Sequence, residues 1–112
     1  MSQTGRRYPR YQIEIALPVT CRRKEGGERV GGRGIAMNVS RGGLLVLLSA
    51  AVPVETLLSV EVHTATQRLT SDARVVRVED PRPDGLIPHG LAFMAGGEGS
   101  ELLPELFLLS ML

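Results

Sequence analysis

Two clusters of residues in this 112-residue chain have the types and spacing to do chemistry. The first is Arg6-Arg7-Tyr8-Pro9-Arg10, three guanidinium groups and a phenol within five positions. A guanidinium is planar, permanently charged and donates in a fork. One arginine can therefore grip a phosphate bidentately while another reads the O6 and N7 edge of a guanine or stacks on a base. Pro9 fixes its own φ and pushes Tyr8 towards extended backbone, which lowers the entropy lost when such an arm closes on a ligand. Both tasks suit a guanine nucleotide, although the five residues alone equally fit a solvated basic tail.

The second cluster is Asn38-Val39-Ser40-Arg41-Gly42-Gly43. Asn and Ser side chains bond to nearby backbone in turns, and the glycine pair admits φ > 0, so the segment is suited to presenting amides and a hydroxyl to an anion. In isolation it also fits an ordinary strand-to-strand turn.

In this order and at this distance, the two clusters resemble the signature of the PilZ domain family. That signature is Arg-x-x-x-Arg, followed about thirty residues later by Asp/Asn-x-Ser-x-x-Gly. Arg6 and Arg10 match the first part; Asn38, Ser40 and Gly43 match the second. Gly90-Leu91-Ala92-Phe93 is similar to the family's late Gly-x-x-Phe strand. The resemblance implies a mainly β protein, a six-stranded antiparallel β-barrel with a C-terminal α-helix, that binds the bacterial second messenger cyclic di-GMP and needs no other cofactor. It also implies that Arg6 and Arg10 wrap over the ligand while Asn38, Ser40 and Gly43 form its floor. Arg7 and Arg41 are additional groups that could reach phosphate, with a solvated surface arginine the competing reading for each.

The pattern of the chain predicts elements able to hold such a site. Ile13, Ile15, Leu17, Val19 and Cys21 alternate with more polar residues, the period of a half-buried strand, and Pro18 on the outward set implies a neighbour on one side only there. A turn follows at Gly26-Gly27. Residues 28–38 predict a second strand, bent or bulged at Gly31, Gly32 and Gly34. Leu44 to Leu48 are five consecutive aliphatics, expected as a strand buried on both faces. Leu58, Val60 and Val62 mark a fourth strand. The next strand shifts phase from Ala73 and Val75 to Val76 and Val78, which predicts a bulge near Val75-Val76. Residues 80–89 read as a Pro-rich loop and 90–94 as a short last strand. After glycines 96, 97 and 99, Ser100 caps a helix over about 100–111. Residues 1–11 are thus expected to be a flexible basic arm, and 12–112 one barrel domain ending in that helix.

Composition narrows the function classes. The apolar fraction of 43% is ordinary for a globular domain, and no apolar run approaches the ~20 residues that cross a bilayer. The single Cys21 excludes an internal disulfide, no Cys or His cluster has metal-ligand spacing, and the polar N-terminus lacks a secretory signal, which together point to the cytoplasm. Residues 1–41 carry a net +6 and residues 42–112 a net −5, which favours an anionic partner near the N-terminal half. His63 and His89 have no neighbouring carboxylate or thiol in sequence that would mark a catalytic constellation, so an enzyme is not expected. A nucleic-acid-binding barrel would want aromatic stacking platforms, which Tyr8, Tyr11, Phe93 and Phe107 supply poorly. A PilZ-like adaptor working through protein contacts alone is the remaining alternative.

The chain is expected to be freestanding, so its output should be a changed surface read by an effector protein. Residues 102–112 are more apolar than one buried face requires, which marks them for a protein partner or for a homodimer.

Overall fold

The computed structural model describes residues 12–40 and 42–94. Six strands, β1 (Gln12–Arg23), β2 (Arg29–Ser40), β3 (Gly43–Leu48), β4 (Leu57–His63), β5 (Arg68–Val78) and β6 (Ile87–Phe93), pair antiparallel throughout. They close into a barrel in the order β1-β2-β3-β6-β5-β4. This is the fold class expected from the sequence. The arm over 1–11 and the helix over about 100–111 lie outside the described residues.

Period-two alternation is what closes this barrel. Val19 and Cys21 of β1, Leu44, Val46 and Leu48 of β3, Leu58, Val60 and Val62 of β4 and Val75 of β5 all turn inward and are buried. The outward set is polar or half-exposed, as alternation along a pleated strand requires. Pro18, which has no N–H to give, pairs with Ile35 of β2, and the β1–β4 ladder begins only at Val19 and Val62. Leu47 departs from the alternation: it pairs with Ile35 on the outward set yet is only 4% exposed, so β3 is buried on both faces at that point.

Besides a register shift in β1 between Glu14 and Leu17, three irregularities bear on the site. In β2, Gly31 and Gly32 have φ of 79° and 67°, and the β1 partners pass from Gly34 at Val19 to Val30 at Cys21. This is the expected bend. A second bulge, in β2 between Ala36 and Asn38, has no glycine to announce it. The third, in β5 between Val75 and Arg77, is the phase slip read from the sequence.

One expectation is corrected. His89 stands inside β6, which begins at Ile87, and the loop before it is shorter than residues 80–89. The ring is fully buried at the end of the barrel. Its Nε2 accepts the Val52 N–H at 3.0 Å, so the proton sits on Nδ1, which donates to the Ile87 carbonyl at 2.8 Å. A buried imidazole with both nitrogens satisfied is a structural latch. It ties the β3–β4 connection, through the buried Val52, across the barrel end.

Candidate functional site

The β2 bulge decides where the second cluster points. Ala36 pairs with Val46, both inward, and a regular strand would carry the inward phase to residue 38. The extra residue at Met37 reverses that phase. Asn38 then pairs with Leu45, Val39 is the fully buried residue, and Asn38 and Ser40 sit half-buried on the outer wall. Neither side chain makes a hydrogen bond among the described residues, so an amide and a hydroxyl are available to a ligand.

The β5 bulge does the same for an arginine. Val75 pairs with Leu91 inside the barrel; the surplus Val76 shifts the phase; and Arg77 emerges outward opposite Gly90. One row of paired residues therefore crosses the outer wall over four strands: Asn38 of β2, Leu45 of β3, Gly90 of β6 and Arg77 of β5. Gly90 has no side chain to obstruct the row, and Arg77 lies over it. A Cβ at Gly90 would stand 3.0 Å from the guanidinium Cζ and 3.1 Å from both terminal nitrogens. Bulges that re-aim side chains in this way gather at functional sites.

These residues line a shallow depression of about 280 Å³, whose walls include Asn38, Ser40, Gly43, Arg77 and Gly90. Its size is at or below the ~300–1,000 Å³ of small-molecule pockets, so it is a shallow floor rather than an enclosing pocket. A larger hollow of about 730 Å³ lies elsewhere on the wall, around Pro18, Arg33, Ile35, Leu47 and Leu86. It contains none of the residues of either sequence cluster, and volume alone does not assign a site.

Thr20 and His63 also line that hollow, and Thr20 Oγ1 lies 3.2 Å and Glu61 Oε1 3.4 Å from the same nitrogen, Nε2, of His63. A catalytic imidazole needs its nucleophile and its orienting carboxylate on opposite nitrogens. The trio is therefore a surface polar cluster. Among the described residues no group of His, Cys, Asp and Glu could hold a metal ion, and no helix is long and apolar enough to cross a membrane.

The PilZ domain family model matches residues 4–107, which takes in the whole of both clusters and all six strands. The chain belongs to the PilZ family. No curated protein matches it. Among solved structures, it is similar to the PilZ domain of YcgR from Escherichia coli with c-di-GMP, with 16% identity over 94% of this chain and 91% of that one and a TM-score of 0.65. The PilZ domain of CeSA, from a cellulose-synthesizing bacterium, shares 19% identity over 82% of this chain and 88% of that one, with a TM-score of 0.59. Bacillus subtilis inhibitor of motility, MotI/DgrA, shares 18% over 88% of this chain, with a TM-score of 0.62. This PilZ domain spans about half of that last protein, 47% of its length. At these identities the likeness is one of fold.

Of the residues singled out in the sequence, Asn38, Ser40 and Gly43 come together in one depression. Arg6, Arg7, Arg10 and Arg41 lie outside the described residues. The reason for Gly43 in this PilZ domain needs correcting: its φ is not positive. A Cβ there would instead overlap the Leu91 carbonyl oxygen of β6 and come within 3.3 Å of the Ala92 Cα. The glycine is demanded by strand approach rather than by turn geometry. Arg77 was missed. The Val75-Val76 phase slip announced the bulge that aims it, and Gly90 was noted only as part of a strand motif.

Proposed function

We propose that this PilZ domain is a receptor for cyclic di-GMP, with Asn38, Ser40 and Gly43 as the floor and Arg6 and Arg10 as a basic arm that closes over the ligand. Arg7 and Arg41 are additional phosphate contacts in the same reading. The observation that carries it is the β2 bulge: it turns Asn38 and Ser40, with unused hydrogen-bonding groups, outward onto one depression. Placing polar side chains on the wall at the cost of ladder regularity is what a ligand floor requires and what packing alone does not. The neighbouring YcgR PilZ domain, solved with c-di-GMP, supports the choice of messenger.

Ligand binding folds the arm onto the barrel, and the new surface is read in the cytoplasm by an effector protein, or by a second copy through residues 102–112. The role is recognition rather than catalysis. Calorimetric titration with cyclic di-GMP, GTP and linear pGpG tests it, repeated on Arg6→Ala, Arg10→Ala and Ser40→Ala. Each variant loses a polar or charge-assisted contact worth ~1.5–3 kcal/mol, roughly a tenfold to hundredfold fall in affinity. A parent chain that is folded and binds none of the three would leave the adaptor reading, in which the domain acts through protein contacts without a nucleotide.

A further inference from the structure

We propose that Glu79 sets the affinity of this site by competing with an anionic ligand for Arg77, whose side chain reaches the floor along the track that Gly90 leaves open. The inference rests on the receptor reading above and adds two residues that neither sequence cluster contains.

Arg77, near the end of β5, and Glu79, one residue past it, are two positions apart and both exposed. Arg77 Nε and Glu79 Oε2 stand 2.8 Å apart, a charge-assisted hydrogen bond made through Nε. The rest of the guanidinium lies over Gly90, at the edge of the depression that holds Asn38 and Ser40. Its terminal nitrogens are the pair best placed to grip a phosphate or a guanine edge, and Glu79 leaves them uncommitted. A β-carbon at 90 would press on the guanidinium and displace it by a few tenths of an ångström.

The ion pair contributes little to the fold, because both side chains are about half exposed, 58% for Arg77 and 47% for Glu79. Its effect is on the charge a ligand meets. With Glu79 beside it, Arg77 presents a neutralised face to an incoming anion. Without Glu79 it presents a full positive charge at the rim of the floor.

The test is a double-mutant cycle of cyclic di-GMP affinity on the full chain, using Glu79→Gln, Arg77→Gln and the double variant, with denaturation midpoints recorded for each. Expected results are a roughly threefold to tenfold tightening for Glu79→Gln, a weakening of about tenfold for Arg77→Gln, and a double variant indistinguishable from Arg77→Gln alone. Tightening by Glu79→Gln that persists in the Arg77→Gln background would show plain repulsion by the carboxylate and overturn the proposal. Unchanged affinity in Glu79→Gln overturns it also, while binding by the parent keeps the receptor reading intact. Absence of binding by a folded parent overturns both.

Discussion

Gly43 and the Leu91 carbonyl oxygen approach so closely that no β-carbon fits between β3 and β6 at that point. The signature glycine thus has a packing duty whatever the ligand. Gly43→Ala should force the strands apart and lower stability by ~1–3 kcal/mol, as overpacking does elsewhere. A denaturant titration reads this directly, and an alanine variant with the parent's midpoint would show that the seam can yield. A loss of ligand affinity in this variant must be read against its loss of fold, which does not apply to Ser40→Ala.

The latch at His89 gives a second expectation. His89→Leu keeps the volume but leaves the buried Val52 N–H without its acceptor and the Ile87 carbonyl without its donor. The cost should be about 1–3 kcal/mol, since an orphaned buried amide loses its full solvation. Hydrogen exchange at Val52 should accelerate more than at β4 amides, because the connection loosens before the sheet opens.

Cys21 predicts a pH dependence. Burial without a charged partner raises its thiol from 9.0 to about 12. Below pH 9 folded and unfolded chains both hold the proton, and the thiol adds no slope. Between about 9 and 12 only the unfolded chain releases it, so stability should fall by ~1.4 kcal/mol per pH unit from this group. Denaturation at pH 8, 9.5 and 10.5 should show that fall in the parent and a shallower one in Cys21→Ala. Thiol reagents at pH 8 should label the protein only on unfolding.

The β5 bulge separates side chain from spacing. Val76 is 40% exposed, so Val76→Ala should change stability by less than about 0.5 kcal/mol. Deleting Val76 should be severe, because removing the surplus residue turns Arg77 into the barrel and Val78 outward. Circular dichroism and a melting curve of the two variants suffice; a deletion variant with native stability would mean that the strand slips without penalty.

Much of this architecture could be read from the chain, because side-chain alternation reports burial directly. The glycines of β2 and the Val75-Val76 slip announced two of the three irregularities that bear on the site. The bulge at Met37 could not be read. Met37, Asn38 and Val39 fit either phase locally, and only pairing with Leu44, Leu45 and Val46 selects one. His89 was misjudged for a similar reason. A histidine among prolines resembles a loop residue until the Val52 amide, 37 positions away, is seen to need an acceptor. Arg77 escaped notice because its placement over the depression depends on Gly90, a residue on another strand. What the sequence withheld is in each case a relationship between residues far apart in the chain.

The row from Asn38 to Arg77 also bears on how the barrel forms. Asn38 and Leu45 belong to one hairpin, β2–β3, and Gly90 and Arg77 to another, β5–β6; the only ladder joining the two is β3 with β6. That seam pairs Gly43 with Ala92, so its loop-closure entropy must be met before any of its contacts forms, and topologies of this kind fold slowly and all at once. Neither hairpin alone carries the floor. On the receptor reading, a chain that has only half folded has nothing with which to recognise a ligand, so ligand present during refolding stabilises only those species in which that seam has closed.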